Sequence, residues 1–187
     1  MIQAFGNSIY KTEAQPVGAS ASVQELIAKL QEAQKQTKHP FVSTKHLGLN
    51  LQVFIIDLNY SKFEASDFKQ VFMNPKLIST KAPLVSGLED DLSLPRLTVS
   101  IDRPKQIEIS FLDENLTDQT ATFSDLAARW ILHGLDQMNG ISIIDKLNKH
   151  RQRSLKAHLN RLAEKKVETN YKLEYELGGR GTKDEGR

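Results

Sequence analysis

Apolar and polar positions recur with two different periods along this chain, and those periods place most of its elements. From Ser22 onward, Leu26, Ile27, Leu30 and Ala33 recur three and four residues apart, the spacing of one helix face. Ser22 and Glu25 have the S-x-x-E spacing of a capping box. His39-Pro40 should end this helix, because the residue before a proline avoids the helical region. A loop is expected from there to about Asn50. Residues 53–58 form a short apolar run rich in β-branched and aromatic side chains, which reads as a buried strand. Residues 71–73 read as a second, closed by the turn pair Asn74-Pro75. Residues 97–101 and 107–111 alternate apolar and polar, as half-buried antiparallel strands do, and Asp113-Glu114-Asn115 supplies turn chemistry after them. Ser124 is placed to cap a helix carrying Leu126, Ala127, Trp130, Ile131 and Leu135, which Asn139-Gly140 should stop. Gly134 lies in the middle of it, where glycine costs ~1 kcal/mol relative to alanine. A third helix, 150–166, aligns Leu155, Leu159 and Leu162 on one stripe. Residues 1–21 lack a period and read as an arm laid over the domain; 168–187 read as a flexible tail.

These elements predict an α+β protein: small, mostly antiparallel sheets around a central helix at 124–138, with a C-terminal helix. At 187 residues and 39% hydrophobic content, one core and one domain over 1–167 are expected. Lys and Arg total 25 against 23 Asp and Glu, so the net charge of +2 does not by itself announce a polyanionic partner. Charge is concentrated instead on the third helix, where Arg151, Arg153, Lys156, Arg161, Lys165 and Lys166 face only Glu164. There is no cysteine, which excludes disulfides, thiolate metal ligands and a cysteine nucleophile. No stretch approaches the ~18 apolar residues of a membrane span, and the start carries no basic-then-apolar leader. A cytoplasmic protein is expected, with no membrane partner and no nucleotide cofactor.

Residues 133–137 read His-Gly-Leu-Asp-Gln, so His133 and Gln137 stand one helical turn apart on one face. Two histidines at that spacing with a glutamate after the first make the H-E-x-x-H metal motif; only the first histidine is present. Upstream lie Glu89-Asp90-Asp91-Leu92-Ser93-Leu94-Pro95 and Asp102-Arg103-Pro104, and the helix ends in Met138-Asn139-Gly140-Ile141. In order, spacing and context these resemble the peptide deformylase family, whose pattern is Glu-Gly-Cys-Leu-Ser-x-Pro, an Arg-Pro strand, then His-Glu-x-Asp-His-x-x-Gly. The likeness covers about residues 8–160.

The resemblance implies an enzyme that removes the formyl group from an N-terminal methionine, using one Fe2+ or Zn2+ held by the motif cysteine and two histidines. By position those ligands become Asp91, His133 and Gln137. The catalytic glutamate becomes Gly134, which has no side chain to move a proton, an assistance worth ~10²–10⁴-fold in rate. The first family motif, Gly-x-Gly-Leu-Ala-Ala-x-Gln, aligns with residues 39–46 and keeps no position. His46 stands for its oxyanion glutamine, a donor whose loss costs about 10²–10³-fold, while Phe41 and Val42 would obstruct the substrate backbone. Leu92 is the family's leucine after the cysteine. The expectation is therefore a relative without catalysis or cofactor, acting as a binding or regulatory protein. The family's C-terminal helix docks at the ribosome, which extends a ribosome or nascent-chain partner to the six basic residues.

Two sharper alternatives use the same residues. A rebuilt metal site would recruit His46 beside Asp91, His133 and Gln137, in a metal-dependent amide hydrolase with substituted ligands; the bland alternative leaves His46 on a solvent-facing loop and Asp91 capping a turn. A serine hydrolase would need Ser93 with His133 and Asp136, although Asp136 is better placed to pair with Arg103 and tie helix to sheet. Oligomeric state has no signal in the sequence.

Overall fold

Every residue of β3 (Val53–Asp57) is buried, because a helix lies on each side of it. In a strand, alternate side chains point to opposite faces. Val53 and Ile55 pack with Val71 and Met73 against Val23, Leu26, Ile27 and Leu30 of α1 (Ser22–Thr37). Phe54 and Ile56 pack with Phe72, Ile107, Ile109 and Phe111 against Trp130, Ile131 and Leu135 of α2 (Asp125–Met138). This double burial explains the unbroken apolar run in the sequence.

A computed structural model describes residues 1–18, 22–64 and 66–176. Its main sheet runs β2 (Phe41–Ser43), β3, β4 (Lys69–Asp90), β5 (Thr98–Leu112) and β6 (Asp118–Ser124), every neighbouring pair antiparallel. A separate parallel pair joins β1 (Ile2–Gln3) to β7 (Leu173–Glu174). The α+β architecture around a central helix is as the periodicity predicts. A third apolar cluster gathers Leu94, Leu97, Val99 and Ile101 with Ile143, Ile144, Leu147 and Leu162. Among the described residues, no helix is long and apolar enough to cross a membrane.

Several expectations need correction. The loop expected after His39 is instead β2 followed by a 3₁₀ turn at Thr44–Leu47, buried at Thr44, Lys45 and His46. Residues 97–101 and 107–111 belong to one continuous strand; Pro104 is tolerated there because β6 pairs only from Gln106 onward, leaving one edge of β5 unpaired at Pro104. β6 itself has no strong apolar alternation and was not anticipated. Ser124 does occupy the N-cap of α2, but its side chain makes no capping bond. The basic helix divides at Leu155 into α3 (Lys149–Ser154) and α4 (Lys156–Ala163). The tail does not hang free from residue 168. Tyr171 donates to the Leu92 carbonyl at 2.8 Å, Gln3 donates to Glu174 at 2.7 Å, and Ser8 donates to Glu176. Residues 177–187 lie outside the described part of the chain.

Candidate functional site

Three segments meet where the sequence motifs converge: β2 with its 3₁₀ turn, the turn after β4, and the middle of α2. Asp91 is the hub. Its Oδ1 accepts from Ser93 N–H at 2.8 Å, from the Ser93 hydroxyl, and from His46 Nε2 at 3.2 Å. Its Oδ2 accepts from His133 Nε2 at 2.9 Å and from Gln137 Nε2 at 3.0 Å. The Gln137 amide oxygen accepts from the Ser43 hydroxyl. The structure therefore brings together the four residues His46, Asp91, His133 and Gln137. His46 is not on a solvent-facing loop; it is wholly buried, with the Ser43 backbone N–H donating to its Nδ1 at 3.1 Å.

Behind His133 lies a second hub. Glu89, also wholly buried, accepts from Arg103 Nε and Nη2 at 2.8 Å each, from Arg129 Nη1 at 3.1 Å and from His133 Nδ1 at 3.1 Å. Arg103 also binds Asp136, which ties helix to sheet as the sequence suggested. Glu89, Asp91 and Asp136 thus balance Arg103, Arg129 and His133, which is how charges persist in an apolar interior.

The pKa shifts follow from these partners. Burial alone would lower the His133 pKa, but hydrogen bonds and charge from Asp91 and Glu89 prevail and raise it from 6.5 to about 9. With a carboxylate oxygen at each ring nitrogen, His133 is an imidazolium. Burial outweighs Asp91 at His46 and pulls its pKa down, so that ring is neutral. Burial would raise both carboxyls, but His46 and His133 hold Asp91 well below the usual range, and Arg103 and His133 hold Glu89 at about 2.

Gly134 has no room for a side chain. A Cβ placed there would stand 2.7 Å from the Phe54 ring. Phe41 lies edge-on to His133, ring centroids 4.7 Å apart, and Trp130 flanks the same imidazole. Phe41 thus packs on the site, whereas Val42, expected beside it as an obstruction, turns away into the α1 cluster. A cavity of about 10 Å³, the space of about one water, lies beside Asp91, His133 and Gln137 within walls that include Phe5, Tyr10, Ile141 and Ile143; a separate cleft of about 480 Å³ is lined by His39, Lys62, Asp90, Asp91, Leu92 and Tyr171.

Other sequence candidates fall elsewhere. Leu92 is buried with its side chain in the α1 cluster. Ser93 donates to Asp91 rather than to His133, and Asp136 pairs with Arg103 and Lys146, so no serine triad assembles. Arg151, Arg153, Lys156, Arg161, Lys165 and Lys166 are all exposed, while Leu162 anchors that region to the third cluster. Sequence reasoning missed Ser43 and Arg129, for which short motifs carry no signal. It also missed Lys45, wholly buried, whose Nζ donates to Thr12 O at 2.5 Å and Gln137 O at 2.6 Å. Burial lowers its pKa to about 8. By this contact the N-terminal arm is fastened to the carbonyl end of α2, where a cation is favoured.

The fold is that of a polypeptide deformylase. The family model for polypeptide deformylase matches residues 1–153, and the chain belongs to that family. A peptide deformylase of Chlorobium phaeobacteroides (strain BS1) is 25% identical over 175 residues, covering 93% of this chain and 94% of that one. One from Christiangramia forsetii is 28% identical over 185 residues, covering 93% and 94%. Among solved structures, a plant peptide deformylase matches at a TM-score of 0.80 with 22% identity, over 88% of this chain and 89% of that one. A Plasmodium falciparum peptide deformylase matches at 0.81 with 19% identity, over 88% and 96%. The solved structures share the fold.

Proposed function

We propose that this chain is a deformylase-family protein that has lost hydrolysis and keeps the scaffold as a binding or regulatory protein. The observation that carries the reading is the Phe54 ring at Gly134, which fills the space a catalytic glutamate would need. The 10 Å³ cavity supports it, being too small for a formyl-methionyl group. The exposed basic side chains of α3, α4 and the following turn support ribosomal RNA as the partner, through phosphate contacts. Arg151, Lys165 and Lys166 spend part of their charge locally, on Ser100 O, the Tyr175 ring and Glu164, leaving Arg153, Lys156 and Arg161 as the residues of first choice for docking. A cytoplasmic location follows from such a partner.

A second reading is favoured by the relatives, whose name is peptide deformylase. It is a metal-dependent hydrolase, with one Fe2+ or Zn2+, that removes formyl groups from N-terminal methionine or a related amide. One pair of assays separates the two: turnover of a formyl-Met-Ala-Ser peptide after anaerobic loading with Fe2+, and co-sedimentation with 70S ribosomes across a salt series. We expect no turnover above the uncatalysed rate and salt-sensitive sedimentation that Lys156→Glu with Arg161→Glu abolishes. Metal-dependent turnover lost in His133→Ala would overturn the first reading.

A further inference from the structure

A divalent cation needs lone pairs directed at one centre. The residues that the family pattern assigns to a metal do not offer them. A carboxylate has about four lone-pair positions, and Asp91 already receives two donors from Ser93 and one each from His46, His133 and Gln137. The Ser43 backbone N–H donates to His46 Nδ1, so that nitrogen holds no proton and the ring's one hydrogen sits on Nε2, which faces Asp91 at 3.2 Å and lies 3.3 Å from Gln137 Nε2; an N–H nitrogen cannot ligate. Moving that proton to Nδ1 would set two hydrogens against each other at Ser43. Gln137 directs its nitrogen at Asp91 and gives its oxygen to the Ser43 hydroxyl. Flipping the amide would press its oxygen onto the Asp91 carboxylate. His133 has an acceptor at both ring nitrogens. Among the described residues, no three His, Cys, Asp or Glu side chains are arranged around a metal position; these converge on each other.

We propose that the hydrogen-bonded knot centred on Asp91 has taken over the cross-linking role of a divalent metal, joining β2, the turn after β4 and α2, so that the position accepts neither Fe2+ nor Zn2+. The inference deepens the non-catalytic reading and depends on it for its setting, but it can fail independently. Ser43 becomes an essential member under this proposal. It stands where the first family motif has an alanine, yet its backbone fixes the His46 tautomer and its hydroxyl fixes the Gln137 amide.

The test is ¹⁵N NMR of the histidine side chains in the full chain, before and after excess ZnCl2, with metal content measured after desalting. A second pass uses Fe2+ under anaerobic conditions. We expect His46 as the Nε2–H tautomer and both His133 nitrogens protonated, with these signals unchanged by metal. Metal retained without change at His46 and His133 sits elsewhere, and supports the proposal. About one metal per chain with loss of the His46 Nε2 proton overturns it. If that occurs without formyl-peptide turnover, only this proposal falls; turnover as well removes the non-catalytic reading. Ser43→Ala serves as the sensitised variant: its His46 should remain free of metal, since the backbone N–H that fixes the tautomer is retained. Metal capture at His46 in this variant would overturn the proposal.

Discussion

Gly134 shows how one residue's environment reverses its ordinary cost. In an exposed helix, Gly→Ala gains ~1 kcal/mol. Here the added methyl meets the Phe54 ring at 2.7 Å, and overpacking a core costs about 1–3 kcal/mol. Gly134→Ala should therefore fail to stabilise the protein and should destabilise it by up to about 2 kcal/mol in urea unfolding, and Phe54→Leu should relieve most of the added strain. A stabilised Gly134→Ala would mean that the Phe54 ring yields freely. His133 makes a second residue-scale prediction. Its folded pKa is raised from 6.5 to about 9, so its contribution is complete below about pH 6.5 and lost as pH rises through 9, about 3 kcal/mol over the whole range. Lys45, lowered to about 8, acts oppositely only above pH 8. Stability should thus fall from pH 6.5 to 8, and His133→Gln should flatten that slope in urea midpoints. At this scale the sequence was legible where a motif spoke, at Asp91, His133, Gly134 and Gln137. It was silent on the burial of His46, because a polar stretch of Ser43, Thr44, Lys45 and His46 reads as solvent-facing. That stretch is buried because each polar group finds an internal partner, a fact set by distant residues.

Elements obey the same division between local and distant causes. α1 and α2 declared themselves by period and end signals, and β3 by a run of apolar residues buried on both faces. The length of β4 did not: residues 76–88 are mostly exposed, so no apolar alternation marks them, and β5 fixes their conformation by pairing. The break at Leu155 was likewise unreadable, since the leucine spacing runs through it. The contact between α2 and the long β4–β5 hairpin is carried by buried charge as well as by packing, and this can be tested at Arg103. Arg103→Met keeps the volume but leaves Glu89 with only Arg129 and His133, and Asp136 with Lys146. Removing one partner from a buried ion network costs about 3–5 kcal/mol. We expect a loss of that size in urea unfolding; a loss below about 1 kcal/mol would show that the network contributes little beyond its packing.

Across the whole molecule, closure of the centre is distributed, and that governs what reversion can achieve. Phe5 and Tyr10 come from the arm, Phe41 from β2, Phe54 from β3, and Ile141 and Ile143 from beyond α2. The arm is held from outside by Lys45, by β7 and by Glu176. Suppose the family's residues are restored at four positions together: His46→Gln, Asp91→Cys, Gly134→Glu and Gln137→His. The ligand types return, but the side chain added at position 134 meets the Phe54 ring and the cavity beside His133 and Gln137 remains near 10 Å³, too small for a formyl-methionyl group. The four changes also remove the donors and the acceptor that now satisfy one another, so the product should be less stable than the parent. We expect no formyl-peptide turnover from this variant in a metal-loaded assay, and none after adding Phe54→Ala, because Phe5 and Tyr10 still wall the cavity and Phe41 still packs on His133. Turnover by the fourfold variant would mean that the closure is soft and that side-chain identity at four motif positions alone had silenced the scaffold. Turnover appearing only when Tyr10→Ala and Phe41→Gly are added would locate the loss in the walls as much as in the ligands.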